Sequence, residues 1–324
     1  VKRNTTLLLA CGLVAALAAP ATAQQRLTMG GTHSSSSFYA YQVGISNYLS
    51  NTIDDISINI SELGGAEVST EALLRDEIDM GIAVTSSDFA AVEGEAPFSA
   101  PADTLRTLFF FAPLPLNFVV AADSEVESIA DLAGVSFNPG GRGTSTEAQV
   151  ENIFASIEIE PELMIAEGND ALEAYQNRNI QGFVKGGLHP DGYIQQAHSS
   201  RPIRILSFDA DQVSAVTEAF PYFSGTTTDA GDNYGDAASG SYETIQTAIG
   251  INTTTNLDEE TAYQIAKAVF SEEGKQAATD VYPPAAQVDA VELTLSAAVA
   301  PLHAGVVRYL EEIGADIPDR LIAE

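Results

Sequence analysis

Between Leu105 and Val120 the chain is almost wholly apolar, and Pro113 and Pro115 interrupt the run. No other segment restricts the fold as strongly. The run is too apolar for a half-exposed strand and is broken by residues that give a sheet ladder no N–H. The pattern predicts one strand leaving a first domain and a second strand entering another. The chain's 324 residues suffice for two domains of roughly 100–200 residues each.

Either side of this run, short β-like segments alternate with helical periodicity, which predicts an α/β class with mainly parallel sheets. Arg26 to Met29 is expected as a strand, followed by a Gly/Ser loop from Gly30 to Ser37. A helix with Tyr41, Ile45, Tyr48 and Leu49 on one face comes next. Ile56, Ile58 and Ile60 alternate as a second strand. Ser69 to Arg75 predicts a helix, and Ile78 to Val84 a third strand ending in Thr85-Ser86-Ser87-Asp88. Ser124-x-x-Glu127 predicts a capping box, and Gly134 the end of its short helix. Val135 to Phe137 is expected as a strand, Asn138 to Gly143 as a loop. Thr144-x-x-Glu147 then caps a helix whose buried stripe is Val150, Ile153, Phe154 and Ile157. Farther on, Ala171 to Gln176 predicts a helix, Ile180 to Val184 a strand and Lys185-Gly186-Gly187 a tight loop. Thr226 to Ser241 is expected as loop, Ile245 to Ile251 as strand and Glu259 to Phe270 as helix.

Lys2 and Arg3, the apolar Leu7 to Ala19 and the small-x-small Ala21-Thr22-Ala23 predict a cleavable export signal over residues 1–23 and a periplasmic location. A lipoprotein reading at Leu8-Leu9-Ala10-Cys11 competes with it. Cleavage after Ala23 would remove Cys11, the one cysteine, and with it thiol chemistry. Fourteen Lys and Arg stand against 45 Asp and Glu, a formal charge of −31. Such a field disfavours nucleic acid and anionic lipid as partners. It fits an envelope protein adapted to high salt, with an ordinary acidic periplasmic protein as the alternative.

Several motifs fall in a familiar order. They are Leu-Arg-x-Glu-Ile-Asp-Met-Gly-Ile at 74 to 82, Ile129-Ala130-Asp131-Leu132-Ala133-Gly134, the glycines of Asn138 to Thr144, and Pro301-Leu302-His303-Ala304-Gly305-x-x-Arg308-Tyr309. The pattern resembles the TAXI class of solute receptors of tripartite ATP-independent periplasmic (TRAP) transporters. The resemblance implies a type II periplasmic binding-protein fold: two α/β lobes joined by crossing strands, with a ligand cleft between them. The lobes would comprise residues 24–113 with 240–324, and residues 114–239. It also implies a receptor that delivers a small carboxylate to a TRAP permease, with an amino acid such as glutamate, a dicarboxylate or a 2-oxo acid as candidates. The alternatives are a receptor for an ATP-driven importer or a sensor kinase and, more distantly, an envelope enzyme. A monomer without cofactor is expected. The opening loop carries serines from Ser34 to Ser37 where the family is glycine-rich, and Thr226 to Tyr234 lacks the family's Ile-Pro.

Independently of any family, ligands in open α/β lobes sit beyond the carboxyl ends of strands, at the N-termini of the following helices. That rule selects Thr32, Ser34, Ser36 and Phe38 in the first loop and Thr85 and Ser86 after the third strand. It also selects Asn138, Gly141, Arg142, Gly143, Thr144 and Ser145, where glycines admit an anion and Arg142 offers a planar fork. Lys185 and Gly186 follow a later strand, and Tyr222, like Tyr234, is a candidate cleft wall. Each has a plain structural reading as a cap, turn or core residue. His33, His189, His198 and His303 show no metal-ligand spacing, so no metal is expected. No Gly-x-Ser-x-Gly elbow or phosphate-binding loop occurs, and Thr146 stands where a dinucleotide fingerprint needs its third glycine or alanine. No catalytic residue is assigned.

Overall fold

A computed structural model describes residues 24–34 and 36–323. The predicted export signal and Ser35 lie outside the described residues. Chain order is β1 (Gln25–Thr32), α1 (Ser37–Thr52), β2 (Ile56–Gly64), α2 (Ala66–Leu74), β3 (Met80–Val84), α3 (Thr85–Glu93) and β4 (Leu105–Ala121). There follow β5 (Ser136–Asn138), α4 (Ser145–Ser156), β6 (Glu162–Leu163), α5 (Gly168–Gln176), β7 (Gly182–Gly186), α6 (Gly192–Ser200), β8 (Ile203–Ile205) and α7 (Ala210–Ala219). The chain closes with β9 (Ser224–Asp229), β10 (Ser241–Thr254), α8 (Glu259–Val269), α9 (Glu272–Val281), α10 (Ala290–Ala297) and α11 (Ala304–Glu312).

The central apolar run is one continuous strand, β4, and not two. It pairs antiparallel with β10 from Leu105↔Thr254 to Pro115↔Gln246. From Leu116 onward its partner is β7, joined by β8 at Val119 to Ala121. Pro113 is accommodated within the β10 ladder, and the partner changes directly after Pro115, which likewise has no N–H to donate. β10 likewise trades β4 for β9 before Gln246. Two strands therefore cross between two α/β lobes. In the first, β2, β1 and β3 run parallel beside β10; in the second, β6, β5 and β7 run parallel beside β4.

Each lobe has its own core. In the first, Tyr41 on α1 stacks on Phe111 with ring centroids 3.7 Å apart, and Ile45 and Leu49 continue the buried stripe. In the second, Phe118 meets Phe137, Phe154 and Phe208, with Val150 and Ile153 behind them. The periodicities around Tyr41 and Val150 thus mark true core faces.

Some local expectations change. Ser124 donates its hydroxyl to the Ala121 carbonyl, and Asp131 accepts from the Glu127 and Ser128 amides, so no capping box forms there. Lys185 and Gly186 belong to β7, paired with Asn117 and Leu116, and only Gly187 leaves the strand. Thr226 to Asp229 is strand, because β10 offers it a free edge.

Candidate ligand-binding cleft

The lobes enclose a cavity of about 560 Å³, within the range of small-molecule sites. Its walls are the first turns of five helices. Ser36 and Phe38 come from α1, Gly65 and Ala66 from α2, Thr144 to Thr146 from α4, Gly168 and Asn169 from α5, and Asp191 to Tyr193 from α6. The reason is topological: each of these helices follows a strand whose carboxyl end opens on the cleft, except that Gly168 enters from the segment after β6 by way of Ala166. A helix N-terminus carries free N–H groups and about half a positive charge.

The caps differ. Ser36 accepts from the Phe38 amide and Thr144 from the Glu147 amide. The Asp191 carboxylate accepts from Tyr193 and Ile194 at 2.9 and 3.0 Å. Gly65 and Glu167, at the starts of α2 and α5, form no side-chain cap bond. A Cβ built on Gly65 would meet nothing nearer than the Gly143 carbonyl oxygen at 4.0 Å, so α2 opens directly on the space between the lobes. Glu67 on α2 is pushed upward by its burial and by the Glu147 carboxylate of the opposing lobe.

Among the described lining residues Lys185 is the one lysine or arginine. Its ammonium lies 3.4 Å from Asp191, donates to the Gly186 carbonyl at 2.7 Å and sits 5.5 Å from the centre of the Phe38 ring. A buried chain of hydrogen bonds fixes this pair. The Asp191 amide donates to the Tyr234 hydroxyl at 2.7 Å, which lies 2.8 Å from His189 Nδ1. His189 Nε2 is 2.6 Å from the Tyr242 hydroxyl, which donates to Asn117 Oδ1, and Asn117 Nδ2 donates to the Gly187 carbonyl at 2.8 Å. One assignment satisfies every group: Tyr234 donates to Nδ1, and a proton on Nε2 donates to Tyr242. It requires a neutral imidazole, and burial does hold His189 down at about 4. Gly187, at φ +138°, takes a backbone shape that side chains rarely adopt and so turns its carbonyl toward Asn117.

Lys185→Met is expected to cost about 1–3 kcal/mol, because Asp191 would be left buried beside an uncharged neighbour and the lysine is itself partly exposed. Urea denaturation measures this. The double variant with Asp191→Asn should recover part of the loss.

Of the residues selected from sequence, the cleft brings together Thr32, Ser36, Phe38, Asn138, Gly141, Thr144, Ser145, Lys185 and Gly186. Asn138 is fully engaged in bracing its loop, donating to the Met164 and Ala166 carbonyls and accepting from Gly140. The structure places the others elsewhere. Ser34 donates to Glu62 on the surface. Thr85 starts α3 and accepts from the Ala248 amide. Arg142 and Gly143 are exposed and stand outside the cavity lining, which Gly140 and Gly141 beside them reach. Tyr234 lies in the buried chain described above. Sequence reasoning missed Asp191, because an acid in a loop has no periodicity to announce a buried partner, and missed His189 for the same reason.

Ser86 and Tyr222 join the lobes outside the cleft. Gln149 of α4 donates to the Ser86 hydroxyl on α3 at 2.6 Å. Phe89 packs on Tyr222 at 5.4 Å between centroids, and Asn152 donates to the Tyr222 hydroxyl at 2.8 Å. His33 lies between Glu62 and Glu167 at 3.5 and 3.6 Å, bridging the mouth. Removing one such bond shifts the closed population by the value of a net hydrogen bond. Ser86→Ala should therefore weaken ligand binding about two- to tenfold by calorimetry, although Ser86 stands outside the cavity lining.

The model of the NMT1-like family matches residues 29–314. The chain belongs to the NMT1-like family. Solved structures with the same fold include that of glutathione import via GshT and the cystine ABC importer TcyBC of Streptococcus mutans. It is 10% identical over 80% of this chain and 95% of that one, with a TM-score of 0.53. MatC from Rhodopseudomonas palustris with bound malate is 12% identical over 79% and 88%, with a TM-score of 0.51. The arginine-, lysine-, histidine-binding protein ArtJ from Geobacillus stearothermophilus is 10% identical over 80% and 96%, also at 0.51. The fold of this NMT1-like chain is thus the type II periplasmic binding-protein fold. Among the described residues no helix is long and apolar enough to cross a membrane, and no cluster of three or more His, Cys, Asp or Glu side chains could hold a metal.

Proposed function

We propose that this chain is an extracytoplasmic receptor, not an enzyme, that closes its lobes on a small carboxylate and presents it to a membrane importer. One observation carries the reading: five helix N-termini, drawn from both lobes, converge on a single cavity. Backbone donors with helix dipoles behind them suit a carboxylate. Donors contributed by both lobes also make binding and closure the same event. Lys185 with Asp191 adds a donor and an acceptor side by side, and Thr32, Ser36, Thr144 and Ser145 supply hydroxyls. Glutamate, a dicarboxylate and a 2-oxo acid are the candidates from the family resemblance.

The importer is a separate question. The sequence pattern supports a TRAP permease, whereas the neighbour whose transporter is named serves an ABC importer, which supports the ATP-driven alternative better. Uptake in vesicles carrying the cognate membrane subunits decides between them. Dependence on ATP supports the ABC reading, and loss on collapse of ion gradients without ATP dependence supports TRAP.

A thermal-shift screen tests receptor function. A carboxylate at 100 times its Kd should add about 2.7 kcal/mol and raise the midpoint by several degrees. Shifts confined to neutral or cationic solutes would contradict the carboxylate reading.

A further inference from the structure

The floor of the cleft lies where the two lobes' sheets meet, and it is hydrocarbon. Ile82 and Val84 on β3, Ile249 on β10, Leu114 on β4 and Val184 on β7 all line it. They sit on adjacent strands, with Ile249 opposite Val84 and Ile251 opposite Ile82 across the β3–β10 ladder. Gly186, beside Val184, leaves room for Leu114: a Cβ there would approach the leucine side chain to 3.1 Å. Phe38 borders this floor and packs against Phe111 and Tyr282.

The charges above the floor are few. The ionisable side chains among the described lining residues are His33, Lys185, Asp191 and Tyr193. Lys185 is already matched by Asp191 at 3.4 Å. His33 stands exposed at the mouth between two glutamates. Burial holds the Tyr193 hydroxyl above its ordinary range, so it stays neutral. What remains for an anion is backbone: the α2 and α5 termini, whose amides no side chain caps, whereas Ser36, Thr144 and Asp191 occupy amides at α1, α4 and α6. Those two uncapped termini suit one carboxylate. A second would have to lie on hydrocarbon or face Asp191, and an unpaired buried charge costs far more than an apolar contact returns.

We infer that the ligand is a monocarboxylate with a hydrocarbon body, its carboxylate at the helix termini and its body on the Ile82–Val84–Leu114–Val184–Ile249 floor. This rests on the carboxylate-receptor reading above and, among its candidates, sets glutamate and the dicarboxylates aside. Neutral polar substituents on the ligand would meet the hydroxyls of the walls, not the floor.

Calorimetry with matched acids tests the inference on the whole protein. Hexanoate and phenylacetate should bind at least tenfold more tightly than adipate, which has hexanoate's carbon count and a second carboxylate, and more tightly than glutamate. Val184→Thr places a hydroxyl on the floor at nearly constant volume, and Ile249→Thr does so while also removing the terminal δ-methyl. Each should weaken hexanoate about tenfold while leaving acetate within twofold. Adipate or glutamate binding as tightly as hexanoate would overturn the inference and leave the carboxylate receptor standing. Binding of none of these acids would overturn both. The comparison of acids on the unmodified protein decides the matter even if a floor variant does not fold.

Discussion

Asp88→Asn should stabilise the protein by roughly 2–4 kcal/mol at pH 8 and reshape its pH profile. Asp88 sits in the first turn of α3, fully buried. Its Oδ1 accepts from Asn252 Nδ2 at 2.8 Å. Asp88 Oδ2 and Asn252 Oδ1 are both buried acceptors without a donor. A proton on Oδ2 donating to Asn252 Oδ1 would satisfy both and close a cyclic acid–amide pair. Burial accordingly pushes the Asp88 carboxyl up to about 7.

The sign follows from linkage. Below about pH 4 the folded and unfolded chains both hold this proton. Between about 4 and 7 only the folded chain holds it, so stability falls as pH rises; above 7 the loss is complete. Asparagine keeps both hydrogen bonds and removes the titration. His189 acts in the opposite sense. Held down at about 4, it is neutral when folded, and stability is lost as pH falls from about 6.5 toward 4. The two slopes oppose each other over that interval in the native protein. In Asp88→Asn that opposing slope is gone, so stability should rise more steeply from pH 4 to 6.5 than in the parent. Urea titrations across this range measure it. A variant less stable than the parent at pH 8 would show that the buried Asp88 carboxylate is favourable in the fold and that its proton affinity is not raised.

Gly65→Asp should abolish ligand binding, by a hundredfold or more, while leaving stability unchanged or a few tenths of a kcal/mol higher. Gly65 caps α2 in extended conformation, at φ −165°, which any residue adopts, and the space beyond it is open. Aspartate is a better cap than glycine. Its carboxylate would take the α2 amides and repel the ligand's own. Calorimetry and thermal unfolding of the same preparation separate the two effects. Gly65→Ala, with no charge and no capping oxygen, should retain binding within a few-fold.

What could be read from sequence followed physical strength. The proline-broken apolar run from Leu105 located the crossing, since few arrangements tolerate both features. The Thr144–Glu147 spacing located α4, whose Thr144 cap forms as expected. Strand ends pointed to loops that line the cleft, because connectivity places them there whatever their side chains. Arg142 shows the limit. Gly140 and Gly141 reach the cavity while Arg142 stays exposed outside its lining, and spacing alone does not reveal which residues of a turn face a cleft. β9 was hidden for another reason: Thr226, Thr227 and Thr228 lie at an edge with little buried surface, so no apolar alternation marks them. The Lys185–Asp191 pair depends on contacts with Tyr234 and Tyr242, 43 and 53 residues beyond their partners in the chain, and no local pattern carries such information.

Backbone amide chemical-shift mapping of the ¹⁵N-labelled protein with its tightest carboxylate hit tests the central claim most directly. The largest shifts are predicted at Ala66, Ser145, Thr146, Gly168 and Asn169, the opening turns of α2, α4 and α5, with saturation at the calorimetric Kd. Shifts confined to the turn at Arg142, or to the outer hollow between Arg106 and Arg308, with those helix starts unmoved, would contradict it.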